Sequence, residues 1–249
     1  MSAPESTAAI LLVGNELLTG KTADQNAYWL AGRLFQLGVK LRRVEVIPDH
    51  VPTIAEAVRT LAGAHTWLFT SGGVGPTHDD MTISGVAAAF GRRVIRVEEQ
   101  AEAIRRFYGE FCTDGHLRMA DAPEGYTLIP AFDSRFPVLS YQNVFIFPGV
   151  PELFRKKFEA VEHLFRGEPF HLRQIFLMAD EGRIAALLED AQRLHPGVDV
   201  GSYPSFTNPT YRVKVTMEGR DLAVVEAARA FVLAGLVEGE VVNETDVKV

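Results

Sequence analysis

Residues able to do chemistry crowd into one stretch of this chain. Thr70-Ser71-Gly72-Gly73-Val74-Gly75-Pro76-Thr77-His78-Asp79-Asp80-Met81-Thr82 combines three glycines, several hydroxyls and two adjacent carboxylates. Glycines let the backbone adopt positive φ and turn successive amides toward one point, and a helix that follows adds the positive end of its dipole. Such a cradle takes a phosphate or carboxylate, here through Ser71, Gly72, Gly73, Gly75 and Thr77. A plain tight turn with an aspartate helix cap explains the same residues, so glycine content alone leaves both readings open. The stretch is not a Walker A loop, which needs Gly-Lys-Ser/Thr, nor a G-x-G-x-x-G dinucleotide fingerprint.

The acids shift that balance. Asp79 and Asp80 come shortly after the glycines, Asp49 follows the second strand-like run, Leu41 to Ile47, and Glu16 lies just past the first, Ala8 to Val13. If those runs are parallel strands, all four acids sit on the rim where open α/β sheets bind ligands. Carboxylates beside a phosphate repel it unless a divalent cation bridges them, and oxygen donors suit Mg²⁺ or Mn²⁺. Glu16, Asp79 and Asp80 are therefore candidate metal ligands. Each has a plainer role as well: a helix cap for Asp79 or Asp80, a helix-start acid for Asp49, a solvated loop charge for Glu16. The seven histidines form no His-x-His or His-Glu-x-x-His pattern, and the lone Cys112 has no base beside it in sequence.

Alternating elements must position these residues. Ala8 to Val13 is an unbroken apolar run ending at Gly14, as expected of a strand buried on both faces. Thr22-x-x-Gln25 has the form of a capping box, and Ala27, Leu30, Leu34 and Leu37 then recur at helical spacing. Leu41 to Ile47 reads as a second strand, Thr53-x-x-Glu56 as a second capping box, and Trp67-Leu68-Phe69 as a third strand. This β-α-β-α-β order predicts a mostly parallel sheet with right-handed crossovers. Glu98 to Phe111 reads as an amphipathic helix and Gly115 to Gln142 as an irregular insertion. Asn143 to Phe147 returns to strand, and Pro151 opens a helix. Gly167-Glu168-Pro169 marks a boundary. Beyond it the pattern is strand, helix, strand, strand, helix. Tyr211, Val213, Val215 and Met217 alternate there with polar residues, which predicts an antiparallel sheet with one wet face. The expected organisation is residues 1–167 and a small α+β subdomain over 168–249.

Composition sets outer bounds. Lys+Arg 25 against Asp+Glu 32 leaves a net charge of −7, which argues against nucleic acid as a partner. At 47% hydrophobic and 23% charged, the chain matches folded globular proteins. One cysteine allows no intrachain disulfide, consistent with a reducing cytoplasm. The apolar run at Ala8 is too short to span a bilayer and has no basic flank of a signal peptide, so no membrane partner is expected.

Taken together, Gly14-Asn15-Glu16-Leu17-Leu18-Thr19-Gly20, Asp24-x-Asn26, Asp49, Gly72-Gly73-Val74-Gly75-Pro76-Thr77-x-Asp79-Asp80-x-Thr82 and Pro148-Gly149-Val150-Pro151 resemble the MoaB/Mog-type molybdopterin-binding domain. The branch it is most similar to occurs in the N-terminal half of CinA and in the molybdopterin-binding-like domain of eukaryotic FAD synthases. The resemblance covers residues 8–165, and Gly201 to Pro204 is similar to the segment that follows the CinA domain. It implies a three-layer α/β sandwich, a cytoplasmic dimer or trimer, and a pocket on the glycine loop to which Asn26 and Gly149 also contribute. In the Mog branch it implies molybdopterin as ligand, with Asp49 and Asp80 at the positions of two acids that act in molybdenum-cofactor biosynthesis. In the CinA and FAD-synthase branch it implies hydrolysis of a nucleotide pyrophosphate, such as ADP-ribose or FAD, with Mg²⁺, Mn²⁺ or Co²⁺. One segment departs from CinA: Ala131-Phe132-Asp133-Ser134-Arg135-Phe136-Pro137 replaces its Pro- and Gly-rich stretch and looks closer to the FAD-synthase form. Neither the deamidase of full CinA nor the adenylyltransferase of FAD synthase is recognisable in the chain, so both activities are expected to be absent.

Overall fold

Strand β1 (Thr7–Val13) is buried from Ala8 to Val13 because helices cover both sides of the sheet it runs through. The computed structural model describes residues 5–131 and 136–247. Its residues fall into two compact units, 1–35 with 39–167 and 36–38 with 168–249. After β1 come a single turn of helix α1 (Asn15–Leu18), helix α2 (Asn26–Gln36), strand β2 (Lys40–Ile47), helix α3 (Val51–Ala64), strand β3 (Trp67–Ser71) and helix α4 (Thr82–Ala89). Then follow β4 (Val94–Arg96), α5 (Glu98–Tyr108), α6 (Asp114–Arg118), β5 (Asp121–Pro123), β6 (Thr127–Ile129), β7 (Val138–Tyr141), β8 (Val144–Phe147) and α7 (Pro151–Val161).

Six of these strands form one sheet in the order β2-β1-β3-β8-β7-β6. The first four run parallel, and the β6–β7 hairpin closes the edge antiparallel. Alternation along β1 sorts the two outer layers. Ala9, Leu11 and Val13 pack with Ile54, Val58 and Leu61 of α3 and with Val86 of α4. The opposite layer is aromatic. Phe69 and Phe147 meet Phe158 of α7, which also lies 5.7 Å edge-on to Trp29 of α2. This is the three-layer sandwich with a mostly parallel sheet.

The second unit continues with β9 (His171–Leu177), α8 (Glu181–Leu194), β10 (Val198–Pro204), β11 (Val213–Gly219), α9 (Leu222–Ala234) and β12 (Val241–Val247). Its four strands are antiparallel in the order β10-β11-β9-β12. Ile175, Leu177, Val213, Val215 and Met217 bury against Ile184, Leu188, Val225 and Val232 of the two helices.

Several expectations are corrected. Asp24, not Thr22, caps α2: its two carboxylate oxygens accept from the Asn26 and Ala27 amides at 3.1 and 2.9 Å. Helix α3 starts at Val51, ahead of the predicted box, so Thr53 lies inside its first turn. The stretch read as an irregular insertion holds α6 and strands β5 to β7, two of which join the main sheet. Strand β12 adds to the expected pattern: Val241-Val242-Asn243-Glu244-Thr245 has only a weak alternation, and pairing with β9 supplies what the pattern lacks. Residues 132–135 of the segment that departs from CinA lie outside the described residues. No helix among the described residues is long and apolar enough to cross a membrane.

Phe158 is fully buried and touches aromatic neighbours from α2, β3 and β8. Phe158→Ala should cost about 3–5 kcal/mol of unfolding free energy, read from urea denaturation.

Candidate functional site

The sheet order places the topological switch point between β1 and β3, since the chain adds β2 on one side of β1 and then β3 and β8 on the other, all four strands running parallel. Loops leaving adjacent strands on opposite sides open a crevice at their carboxyl ends. Gly14 leaves β1 there, and Gly72 leaves β3.

Backbone contact makes that junction tight. Gly72 has φ +97°, and a Cβ on it would lie 2.3 Å from the carbonyl oxygen of Val13. Gly73 has φ +64°, and its Cβ would come within 2.4 Å of the Thr82 hydroxyl. Thr82, fully buried at the start of α4, donates its hydroxyl to the Gly72 carbonyl at 2.7 Å and its amide to the Gly73 carbonyl at 2.9 Å. The loop is thereby sewn to the helix that follows it.

The free donors are fewer than the motif suggests. The Gly72 amide donates to Phe147, extending the β3–β8 pairing. Thr77 gives both its amide and its hydroxyl to one oxygen of Asp80, at 2.8 and 2.6 Å. Among the described residues, the amides of Gly73, Val74 and Gly75 have no protein acceptor, nor do those of Ile83 and Ser84 in the first turn of α4. These donors border a polar chamber of about 330 Å³, also lined by Thr77, His78, Asp80, Arg96 and Arg118.

Asn26 works from the other side of the crevice. It is 3% exposed, and its amide nitrogen donates to Ser71 Oγ at 2.9 Å and to the Gly149 carbonyl at 2.8 Å. The ends of β3 and β8 are thus pinned to α2. Among the described residues the buried Asn26 Oδ1 has no partner, an unfilled acceptor in a place where polar atoms are normally bonded.

The acids divide into two sets. Asp49 accepts from the Asn15 amide at 2.8 Å. Its pKa is raised, first by burial and then by the negative charges of Glu16 and Asp79, against the lowering effect of the Asn15 bond. Asp80 instead turns onto Thr77, against Gly75. Asp79, rather than Asp80, is the aspartate of that pair whose charge bears on Asp49. Among the described residues no three His, Cys, Asp or Glu side chains converge as a ready metal cage. The oxygen-only set of Asp49, Glu16 and Asp79, in which the last two charges disfavour ionisation of the first, has the chemistry a divalent cation relieves, provided a ligand's phosphate supplies the remaining oxygens.

Motif reading missed the cationic wall. Arg96, on β4, is ion-paired with Asp121 of β5. Arg118, on α6, has no acid partner among the described residues. Both come from the segment after the α4 helix, and no local pattern ties them to the glycines; only the fold carries them back.

With this geometry in view, comparison with known proteins is decisive for ancestry. Residues 9–166 match the family model described as "Probable molybdopterin binding domain". The chain belongs to that family. Residues 169–245 match a second model, "FAD synthase, middle domain". A "Probable FAD synthase" of Caenorhabditis elegans is 33% identical over 252 residues, covering 89% of this chain and 48% of the relative. The Caenorhabditis briggsae counterpart is covered over 50%, so this chain spans about half the length of these two relatives. An Aeropyrum pernix protein is 35% identical, with 92% of this chain and 90% of the relative covered. The crystal structure of the protein CinA, of unknown function, from Thermoplasma acidophilum superposes with a TM-score of 0.60 at 31% identity, covering 66% of this chain and 99% of that one.

Two outcomes follow from the geometry. Gly73→Ala forces a positive φ on a side chain that collides with Thr82, and should lower the unfolding free energy by about 1–2 kcal/mol or more in chemical denaturation. Asp49 holds its proton more tightly folded than unfolded, so its contribution to stability falls as pH rises above the ordinary 3.8. Asp49→Asn keeps an oxygen for the Asn15 amide and removes the repulsion. Its melting temperature should exceed that of the parent at pH 7, with the gain vanishing as pH drops below 3.8.

Proposed function

We propose that the crevice between β1 and β3 binds a nucleotide through its phosphates and hydrolyses the pyrophosphate linkage. The supporting observation is the pairing of unsatisfied amides at Gly73, Val74 and Gly75 with a group of like-charged carboxylates around Asp49. A cradle for anions beside repelling acids is costly unless both serve one ligand and one cation.

The amides of the loop and of the first turn of α4 hold the phosphoryl oxygens, and Arg118 lines the same chamber. Asp49, more basic than an ordinary carboxylate, takes the proton from an attacking water. The water oxygen bonds to phosphorus, the bridging P–O bond breaks, and the departing phosphate leaves with its electron pair. Asp80 keeps Thr77 and Gly75 in place rather than touching the reacting atoms. Glu16 and Asp79, with the substrate's own oxygens, would hold Mg²⁺, Mn²⁺ or Co²⁺. When bound, such an ion neutralises the pyrophosphate and lowers the pKa of water.

A second reading is binding of molybdopterin without hydrolysis, and the family match over residues 9–166 favours it. Its phosphate would occupy the same amides.

Incubation of the purified chain with ADP-ribose or FAD and each of the three cations separates the readings. Hydrolysis should release two monophosphates, and Asp49→Asn should slow it by a factor of about 10²–10⁴. Binding of molybdopterin with no nucleotide cleaved, or cleavage indifferent to Asp49→Asn, would overturn the hydrolytic reading.

A further inference from the structure

A second chamber opens behind the glycine loop, of about 280 Å³. Val74, Ile83, Arg118 and Asp121 line both it and the polar chamber, so the two adjoin along that seam. Its walls come from the far half of the sheet and from the segment between α4 and β7. Ile104 and Tyr108 stand on α5, Leu128 on β6, Leu139 on β7 and Ile146 on β8. This chamber is mostly hydrocarbon, whereas its neighbour is mostly polar.

Two cations meet that apolar space. Arg118 sits on the seam. Lys157 reaches in from α7, its ammonium donating to the carbonyls of Phe136 and Pro137 at 2.8 and 2.7 Å. An ammonium carries three protons, so one remains for a further acceptor. Partial burial lowers the Lys157 pKa to about 8, the mark of an amine short of compensating charge. Asp121, the one acid among the described residues of the chamber wall, is already engaged by Arg96.

From these features we propose that the apolar chamber receives the flat nitrogen heterocycle of the ligand whose phosphate rests on the glycine-loop amides, with Lys157 donating to an acceptor atom of the ring. This rests on the phosphate reading of the glycine loop. Three facts select such an occupant. The volume lies just below the range of about 300–1,000 Å³ typical of whole-ligand pockets, which suits one fused ring system rather than an entire dinucleotide. Mostly apolar walls, with Lys157 and Arg118 as their cations, favour a ring with a polar edge over a sugar. The shared seam at Val74 and Ile83 puts the ring next to an anchored phosphate, so one molecule can fill both chambers.

Purine and flavin rings both have this chemistry, and binding measurements on the full chain distinguish them. Calorimetric titration in the presence of Mg²⁺ uses inorganic pyrophosphate, ribose 5-phosphate, ADP and FMN. At least one ring-bearing ligand should bind ten-fold or more tighter than ribose 5-phosphate, ADP for a purine and FMN for a flavin. Leu128→Trp, on the edge strand β6, fills the chamber and should bring the affinity ratio of that ligand to ribose 5-phosphate close to one. Lys157→Met should reduce the same ratio about five-fold, and it keeps the test intact if the tryptophan variant does not fold. Equal binding of ring-bearing and ring-free phosphates, or a ratio unmoved by either substitution, would overturn the ring assignment while leaving the phosphate cradle standing. If pyrophosphate and every other phosphate fail to bind, both fall together.

Discussion

Backbone contact at Gly72 is the constraint on which the rest of the site depends. There the end of β3 passes so close to the end of β1 that no side chain fits, with Val13 O on one side and Gly149 3.3 Å from the Gly72 Cα on the other once a Cβ is drawn on Gly149. Because three strand ends meet at this point, the loops leaving them share one crevice. Thr82 and Asn26 hold the junction from opposite layers of the sandwich, one by bonding the Gly72 carbonyl and the other by bridging Ser71 to Gly149. The turn is thereby rigid before any ligand arrives, and rigid donors lose little entropy on binding.

That geometry leaves an electrostatic imbalance. The unsatisfied amides favour negative charge, while Glu16 and Asp79 raise the negative potential at Asp49. Neither feature serves stability: burial and repulsion push the Asp49 carboxyl toward its protonated form. Sites of this kind are where folded proteins concentrate groups with shifted acidity. Asp80, adjacent to Asp79 in the chain, turns one carboxylate oxygen onto the amide and hydroxyl of Thr77 while lining the polar chamber.

The second unit solves a simpler problem. Its antiparallel sheet buries one face under α8 and α9, and capping aspartates start both helices, Asp180 for α8 and Asp221 for α9. Arg173, Glu226, Arg229 and Glu244 form a chain of ion pairs there. Partly exposed pairs of this type contribute little stability each, so the apolar core carries the fold.

Local signals in the chain were enough to establish the order of strands and helices in the first third, because continuous apolar runs and helical spacing are short-range patterns. They also marked the glycine loop and the acids beside it, since turn chemistry is written in adjacent residues. Alternation at Tyr211 to Met217 likewise announced an antiparallel strand, although it begins two residues later, at Val213. Tertiary structure alone decided which amides of the loop stay free, which acids share a field, and that Arg118 and Lys157 arrive from distant helices. It also made β6 and β7 part of the main sheet and gave β12 its partner. The physical reason is that each depends on a contact the local pattern does not record: β12 pairs with β9 across more than sixty residues, and even the short β6–β7 and β7–β8 pairings join the main sheet only because β8 already lies beside β3.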